Sequence, residues 1–159
     1  MKFLKGFLYA FRGILYCINH ERNMRIHTVA TLYVLLFSPF FELSRGQYAL
    51  LLLTMAGVMS AEAVNTALER LTDLSSPDYH PLARAAKDVA AGAVLIVAIF
   101  AVLVGVCLLW QPAAFVRMFD FFTQKPWTLV LLALTLPVVL LYIVKGPKGI
   151  WGMIKKQAR

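Results

Sequence analysis

The stretch AEAVNTALERLTD, residues 61–73, closes a hydrophobic run that starts near residue 48 and is long enough to cross a bilayer. It carries Glu62, Glu69 and Asp73, three of only eight acidic residues in the chain. Carboxylates at the edge of hydrocarbon are costly and mark function unless packing explains them. At about 100° per residue, Glu62, Asn65, Thr66, Glu69 and Asp73 share one stripe about 100° wide, while Ala61, Val64, Leu68 and Leu71 face elsewhere. Glu62 lies about 10 Å below the expected helix end at residue 68, a depth suited to a proton acceptor or relay. Glu69 and Asp73, nearer water, suit oxygen coordination of a hard cation. The plain structural alternative is that the stripe only hydrogen-bonds neighbouring helices. Asn65 and Thr66 fit it well, but two carboxylates seven residues apart plus an aspartate fit it poorly.

Outward from this stretch, the composition is that of a membrane protein: 60% hydrophobic and 15% charged, with mean hydropathy +0.72 over 159 residues. The expected fold is all-α and polytopic, with spans near residues 26–43, 48–68, 89–110 and 127–144. Pro39 and Pro137 are expected to bend their helices, and residues 111–126 are read as a polar break. Residues 1–20 form an amphipathic surface helix: Phe3, Leu4, Phe7, Phe11, Ile14, Leu15 and Ile18 gather on one side, Lys2, Lys5, Tyr9, Arg12 and Tyr16 on the other. Lys2, Lys5 and Arg12 interrupt any signal-peptide pattern. Cys17 and Cys107 are read as packing residues, lacking ligand spacing. The tail from residue 145 has the character of an interfacial stop.

The net charge of +8 favours anionic lipid headgroups over nucleic acid in such a chain. Thirteen of the sixteen Lys and Arg fall before span one, between spans two and three, or in the tail; only Arg45, Arg117 and Lys125 fall elsewhere. The asymmetry predicts cytoplasmic termini in a plasma (inner) membrane, with residues 69–88 cytoplasmic too.

Two further clusters reach that level. YHPLARAAKD, residues 79–88, starts a helix at Pro81 and places Lys87 and Asp88 at a membrane mouth. Lys87 either snorkels or grips a phosphate. ERNMRIH, residues 21–27, holds Glu21, the single acidic residue among the first forty-one. Carboxylates with cations at one depth suggest Mg²⁺ and a polyphosphate, with Glu62 deep enough to reach a lipid hydroxyl. His20 and His27, with no third ligand nearby, are read as interfacial polar residues. A proton-relay transporter using Glu62 would not need Lys87 and Asp88, and a membrane scaffold would not need the stripe.

The pattern E-x-x-N-[ST]-A-x-E-x-x-x-D at residues 62–73, followed by His80 and A-K-D at 86–88, resembles the prokaryotic diacylglycerol kinase family, which includes undecaprenol kinases. Y-x-x-R-G at Tyr9 and E-x-x-x-R at Glu21–Arg25 keep the family's order. The likeness covers about residues 1–110, a three-span lipid kinase core; residues 111–159 add a linker, a fourth span and a basic tail. The resemblance implies ATP-dependent phosphorylation of a membrane lipid alcohol. It implies Glu62 as catalytic base beside the lipid, Glu21 and Glu69 as carboxylates for the Mg²⁺ accompanying ATP, and Asn65 as support. Lys87 and Asp88 become nucleotide contacts, with weaker matches for Asp78, Tyr79, His80 and Tyr9, and Arg25 falls on the substrate side. Asp73 matches the motif without an assigned task. The family also implies a homotrimer with active sites shared between subunits. HPLA and AAGAVL lean toward undecaprenol as substrate, with diacylglycerol the alternative.

Overall fold

The computed structural model describes the backbone of residues 2–157 and the side chains of 3–156. Arg159 and the Lys2 side chain, both used in the charge and amphipathicity readings, lie outside the described residues. Among the described residues the chain is all helix: α1 (Lys2–His20), α2 (Arg22–Phe37), α3 (Arg45–Ser75), α4 (Pro81–Leu109), α5 (Pro112–Gln124) and α6 (Trp127–Gln157), with a 3₁₀ turn at Ser38–Phe40. Among the described residues three helices are long and apolar enough to cross a bilayer: α3, α4 and α6.

The first expected span is shorter than residues 26–43. At 16 residues, α2 reaches about 24 Å, short of a hydrocarbon core of about 30 Å. Pro39 does not bend this helix but ends it, entering the 3₁₀ turn near its start, where a missing N–H costs little. α3, conversely, outruns its expected end by seven residues, so Asp73 stands on the same rod as Glu62. Its start is fixed by a capping box: the Ser44 hydroxyl accepts from the Gln47 backbone and the Gln47 side chain accepts from Ser44 N–H. α4 begins at Pro81 with the His80 ring accepting from Leu82 N–H, leaving only residues 76–80 between the two long helices.

Residues 111–126, expected as a polar break, contain α5. Pro112 opens it, and Arg117 clamps it by donating two hydrogen bonds to the Phe40 carbonyl (3.0 and 2.8 Å) and pairing with Glu42 at 3.1 Å. Phe40 packs edge-to-face on Phe121 and tilted against Phe122, which itself meets Phe121 edge-on.

α6 is broken not at Pro137 but at Gly146, whose φ of 65° and ψ of 169° lie in a region essentially confined to glycine. The residues beyond run as further helix rather than a simple stop. Arg25 secures the break. Buried on α2, it donates to the Ile143 carbonyl of α6 (2.9 Å) and to the Ile18 and Asn19 carbonyls of α1 (3.1 and 3.3 Å). Lys148 N–H donates to Asn19 Oδ1 at 3.2 Å, and Tyr33 meets Thr135 at 2.6 Å. α6 is thereby fastened to the α1–α2 corner that carries Glu21, while Leu131, Leu134, Val138 and Leu140 face outward, as lipid contact requires.

An added Cβ at Gly146 would sit 3.1 Å from Arg25 Nη1, on a backbone that disfavours any side chain. Gly146→Ala should therefore destabilise the folded protein by about 1–3 kcal/mol. Gly152→Ala, where a Cβ meets nothing within 4 Å, should not. Thermal unfolding in detergent would compare them, and equal midpoints would contradict the account.

Candidate active site

The site is built on the polar stripe of α3. Glu62 and Thr66 are buried, each 3% exposed, with Asn65 and Glu69 half-buried and Asp73 in the open. Thr66 turns its hydroxyl back to the Glu62 carbonyl at 3.0 Å, so it satisfies itself within the helix. Asn65 Nδ2 donates to Glu69 Oε1 at 2.9 Å, one turn further on. That leaves Asn65 Oδ1 buried without a partner, an uncompensated acceptor beside a carboxylate.

Each carboxylate on the stripe or facing it has its own cationic or polar neighbour. The Glu62 carboxylate meets His27 Nε2 of α2 at 3.3 Å. Glu21, the residue between α1 and α2, is drawn to α3 by Arg70 at 3.1 Å, next in sequence to Glu69. Arg70 also lies over the Tyr16 ring at 5.9 Å. Asp73 accepts a hydrogen bond from Lys87 of α4. That partnership joins the acidic stripe to the A-K-D cluster, and it is the contact the sequence left unexplained for Asp73. Asp88, read beside Lys87, turns instead toward Arg84, one helical turn back, at 3.9 Å.

At the cytoplasm-facing end proposed from charge, Asp73, Asp78, Tyr79, His80 and Lys87 line one cavity of about 280 Å³ with Thr72, Ser76 and Arg84. The structure thus brings the weaker loop residues next to Lys87. Tyr9 stands apart, 61% exposed on α1 with Arg12 over its ring at 5.9 Å. Arg25, expected on the substrate side, is withdrawn from the site, its guanidinium held by the backbone carbonyls of Ile143, Ile18 and Asn19. The residue that sequence reasoning missed is His27. The available signal was its depth: a carboxylate as deep as Glu62 needs a partner, and His27 is the ionisable residue that α2 carries at that level.

Among the described residues no three His, Cys, Asp or Glu side chains converge on a metal position. A self-sufficient protein cage is therefore absent from the described residues. Glu69, the orphan carbonyl oxygen of Asn65 beside it, and Glu21, which pairs with Arg70, are oxygen donors of the class that a hard cation takes when phosphates complete its shell.

Residues 8–109 match the model of the prokaryotic diacylglycerol kinase family. The chain belongs to that family of lipid kinases. It is 46% identical over 110 residues to a diacylglycerol kinase of Synechocystis, covering 69% of this chain and 63% of the relative, so the chain spans less than two thirds of that protein. It is 39% identical over 107 residues to an undecaprenol kinase of Bacillus subtilis, covering 67% of this chain and 87% of the relative. To a diacylglycerol kinase of Escherichia coli K12 it is 30% identical over 110 residues, 69% of this chain and 90% of that one. α5 and α6 lie beyond the family match.

Proposed function

We propose that the protein transfers the γ-phosphoryl group of ATP to a membrane lipid alcohol, and that this alcohol is undecaprenol. The observation that carries the reading is the division of one helix face by depth. On α3 a buried carboxylate, Glu62, lies about one turn from Asn65 and two turns from Glu69, with Asp73 and Lys87 beyond. Two turns are about 10 Å, so in this reading the base at the lipid hydroxyl and the carboxylate at the nucleotide stand at different depths on one face.

In this reading the Glu62 carboxylate takes the hydroxyl proton as the lipid oxygen attacks the γ-phosphorus. The bond to the β–γ bridging oxygen breaks, and ADP leaves. Glu21 and Glu69, with the Asn65 oxygen, hold the divalent cation, taken as Mg²⁺. When bound, that ion offsets the charge of the phosphates. Lys87 contacts the phosphates, and Asp73 holds its ammonium in place when the nucleotide is absent. Asp78, Tyr79 and His80 supply the wall of the nucleotide cavity, and Asp88 pairs with Arg84, which also lines it. Tyr9 belongs to this group only through the motif it matches. Arg25 we assign to fastening α1, α2 and α6, because its donors already face backbone carbonyls. The active site and both termini are placed on the cytoplasmic side, where ATP is found. Because Asp73, Lys87 and Asp88 remain 38–73% exposed in a single chain, we further propose a homotrimer whose neighbouring subunits close the site.

HPLA at 80–83 and AAGAVL at 90–95 favour undecaprenol, whereas the 46% identity to a diacylglycerol kinase favours the second lipid. Purified protein in bilayers, given Mg-ATP with undecaprenol or with diacylglycerol, decides between them. Faster formation of undecaprenyl phosphate is expected. Preferential formation of phosphatidic acid would transfer the assignment to diacylglycerol, and phosphorylation of neither would refute the kinase reading.

For the base, Glu62→Gln should lower kcat by about 10²–10⁴-fold while leaving the KM for ATP nearly unchanged. More than about a tenth of the original rate would remove Glu62 from that role.

A further inference from the structure

Glu62 is 3% exposed inside a helix that crosses the membrane, and its ion-pair neighbour among the described residues is His27 Nε2 at 3.3 Å. A buried carboxylate with a single such neighbour takes its orientation from that neighbour. A second observation concerns the other side of the imidazole. His27 is 27% exposed, and it forms the polar end of a cavity of about 300 Å³ between α2, α3 and α4. Beyond His27 that cavity is walled mainly by apolar side chains, among them Val34, Met55, Val58, Val102 and Leu109. Glu62 does not line it. The imidazole therefore adjoins both the buried carboxylate and the apolar space open to a lipid.

We propose that His27 is a positioning residue for the phosphoryl transfer, holding the Glu62 carboxylate toward the lipid alcohol from the α2 side. The inference rests on Glu62 being the proton acceptor. The imidazole restrains one carboxylate oxygen, Oε1, and so leaves the other to accept the proton. A base is effective only when its lone pair is aimed at the proton it takes, and misplacement by about 1 Å costs roughly a hundredfold. Burial alone does not give that aim, since the α3 side chain retains its own rotations. The contact from a second helix supplies it. It also ties the geometry of the base to the spacing of α2 and α3, the two helices that enclose the apolar space with α4.

The contact makes a prediction distinct from packing. His27→Ala removes the restraint and His27→Gln retains an N–H donor of similar reach. Steady-state kinetics of the full-length protein in bilayers, with Mg-ATP and the better lipid alcohol, would measure both variants beside Glu62→Gln. The expected result is a loss in kcat of about ten- to a hundredfold for His27→Ala. Its KM for ATP should stay within about twofold of the original, and His27→Gln should recover most of the lost rate. A His27→Ala enzyme as fast as the original, beside an inactive Glu62→Gln, would overturn the role of His27 alone. Equal impairment of the Ala and Gln variants with the KM for ATP raised in both would also overturn it, by showing a general structural effect. An active Glu62→Gln would instead overturn the assignment of the base on which this inference rests.

Discussion

The constraint on which this structure turns is the cost of placing a carboxylate in hydrocarbon. Glu62 is tolerated because α3 presents it inward, toward α2, where His27 meets it. Everything the protein is proposed to do follows from α3 remaining one unbroken helix through the membrane edge. Over 31 residues, about 46 Å of rod, it leads from the capping box at Ser44 to Asp73. Residues of similar chemistry thus stand at graded depths on a common face. Glu62 lies deepest, Asn65 and Glu69 one to two turns nearer water, and Asp73 further still. Loops would not hold these intervals, since their spacing is set by no repeating hydrogen-bond pattern.

The other helices act on this rod from its flanks. α4 returns within five residues of the end of α3 and brings Lys87 to Asp73. The α1–α2 corner supplies Glu21, held against α3 by Arg70. α6 reaches the same corner from the other side, through Arg25 and Asn19. The family match ends at residue 109, so α6 is an addition fastened to a shared core. Its attachment next to Glu21 gives that addition a route to influence the site.

The stripe on α3 was legible from the sequence because a helix's period fixes which residues share a face, whatever surrounds it. The start of α4 was legible for a local reason, Pro81 at the first helical position. What the sequence concealed depended on tertiary partners. Pro39 was correctly taken as a disturbance, but whether it bends or ends a helix depends on the backbone beyond it. α5 was hidden because Arg117, Asp120 and Gln124 made residues 111–126 look like a loop, although its apolar positions recur at helical spacing around Phe115, Phe119 and Phe122. Arg25 was placed on the substrate side through the E-x-x-x-R match, which carries no information on what the guanidinium faces. Its actual neighbours are carbonyls from residues 18, 19 and 143, the last remote in sequence. His27 was read only as an interfacial polar residue for the same reason: the residue that explains it lies 35 positions away. The Gly146 break was foreshadowed by the Gly-Pro pair at 146–147, a common interruption.

The central claim is that depth separates two tasks on α3, with the metal-bound nucleotide at Glu69 and proton acceptance at Glu62. Electron paramagnetic resonance of Mn²⁺ substituted for Mg²⁺, titrated with ATP onto the protein in bilayers, tests it most directly. The account predicts that Glu62→Gln retains the bound-Mn²⁺ signal of the original protein while Glu69→Gln loses most of it. An unchanged signal in Glu69→Gln, or an equal loss in both variants, would contradict it.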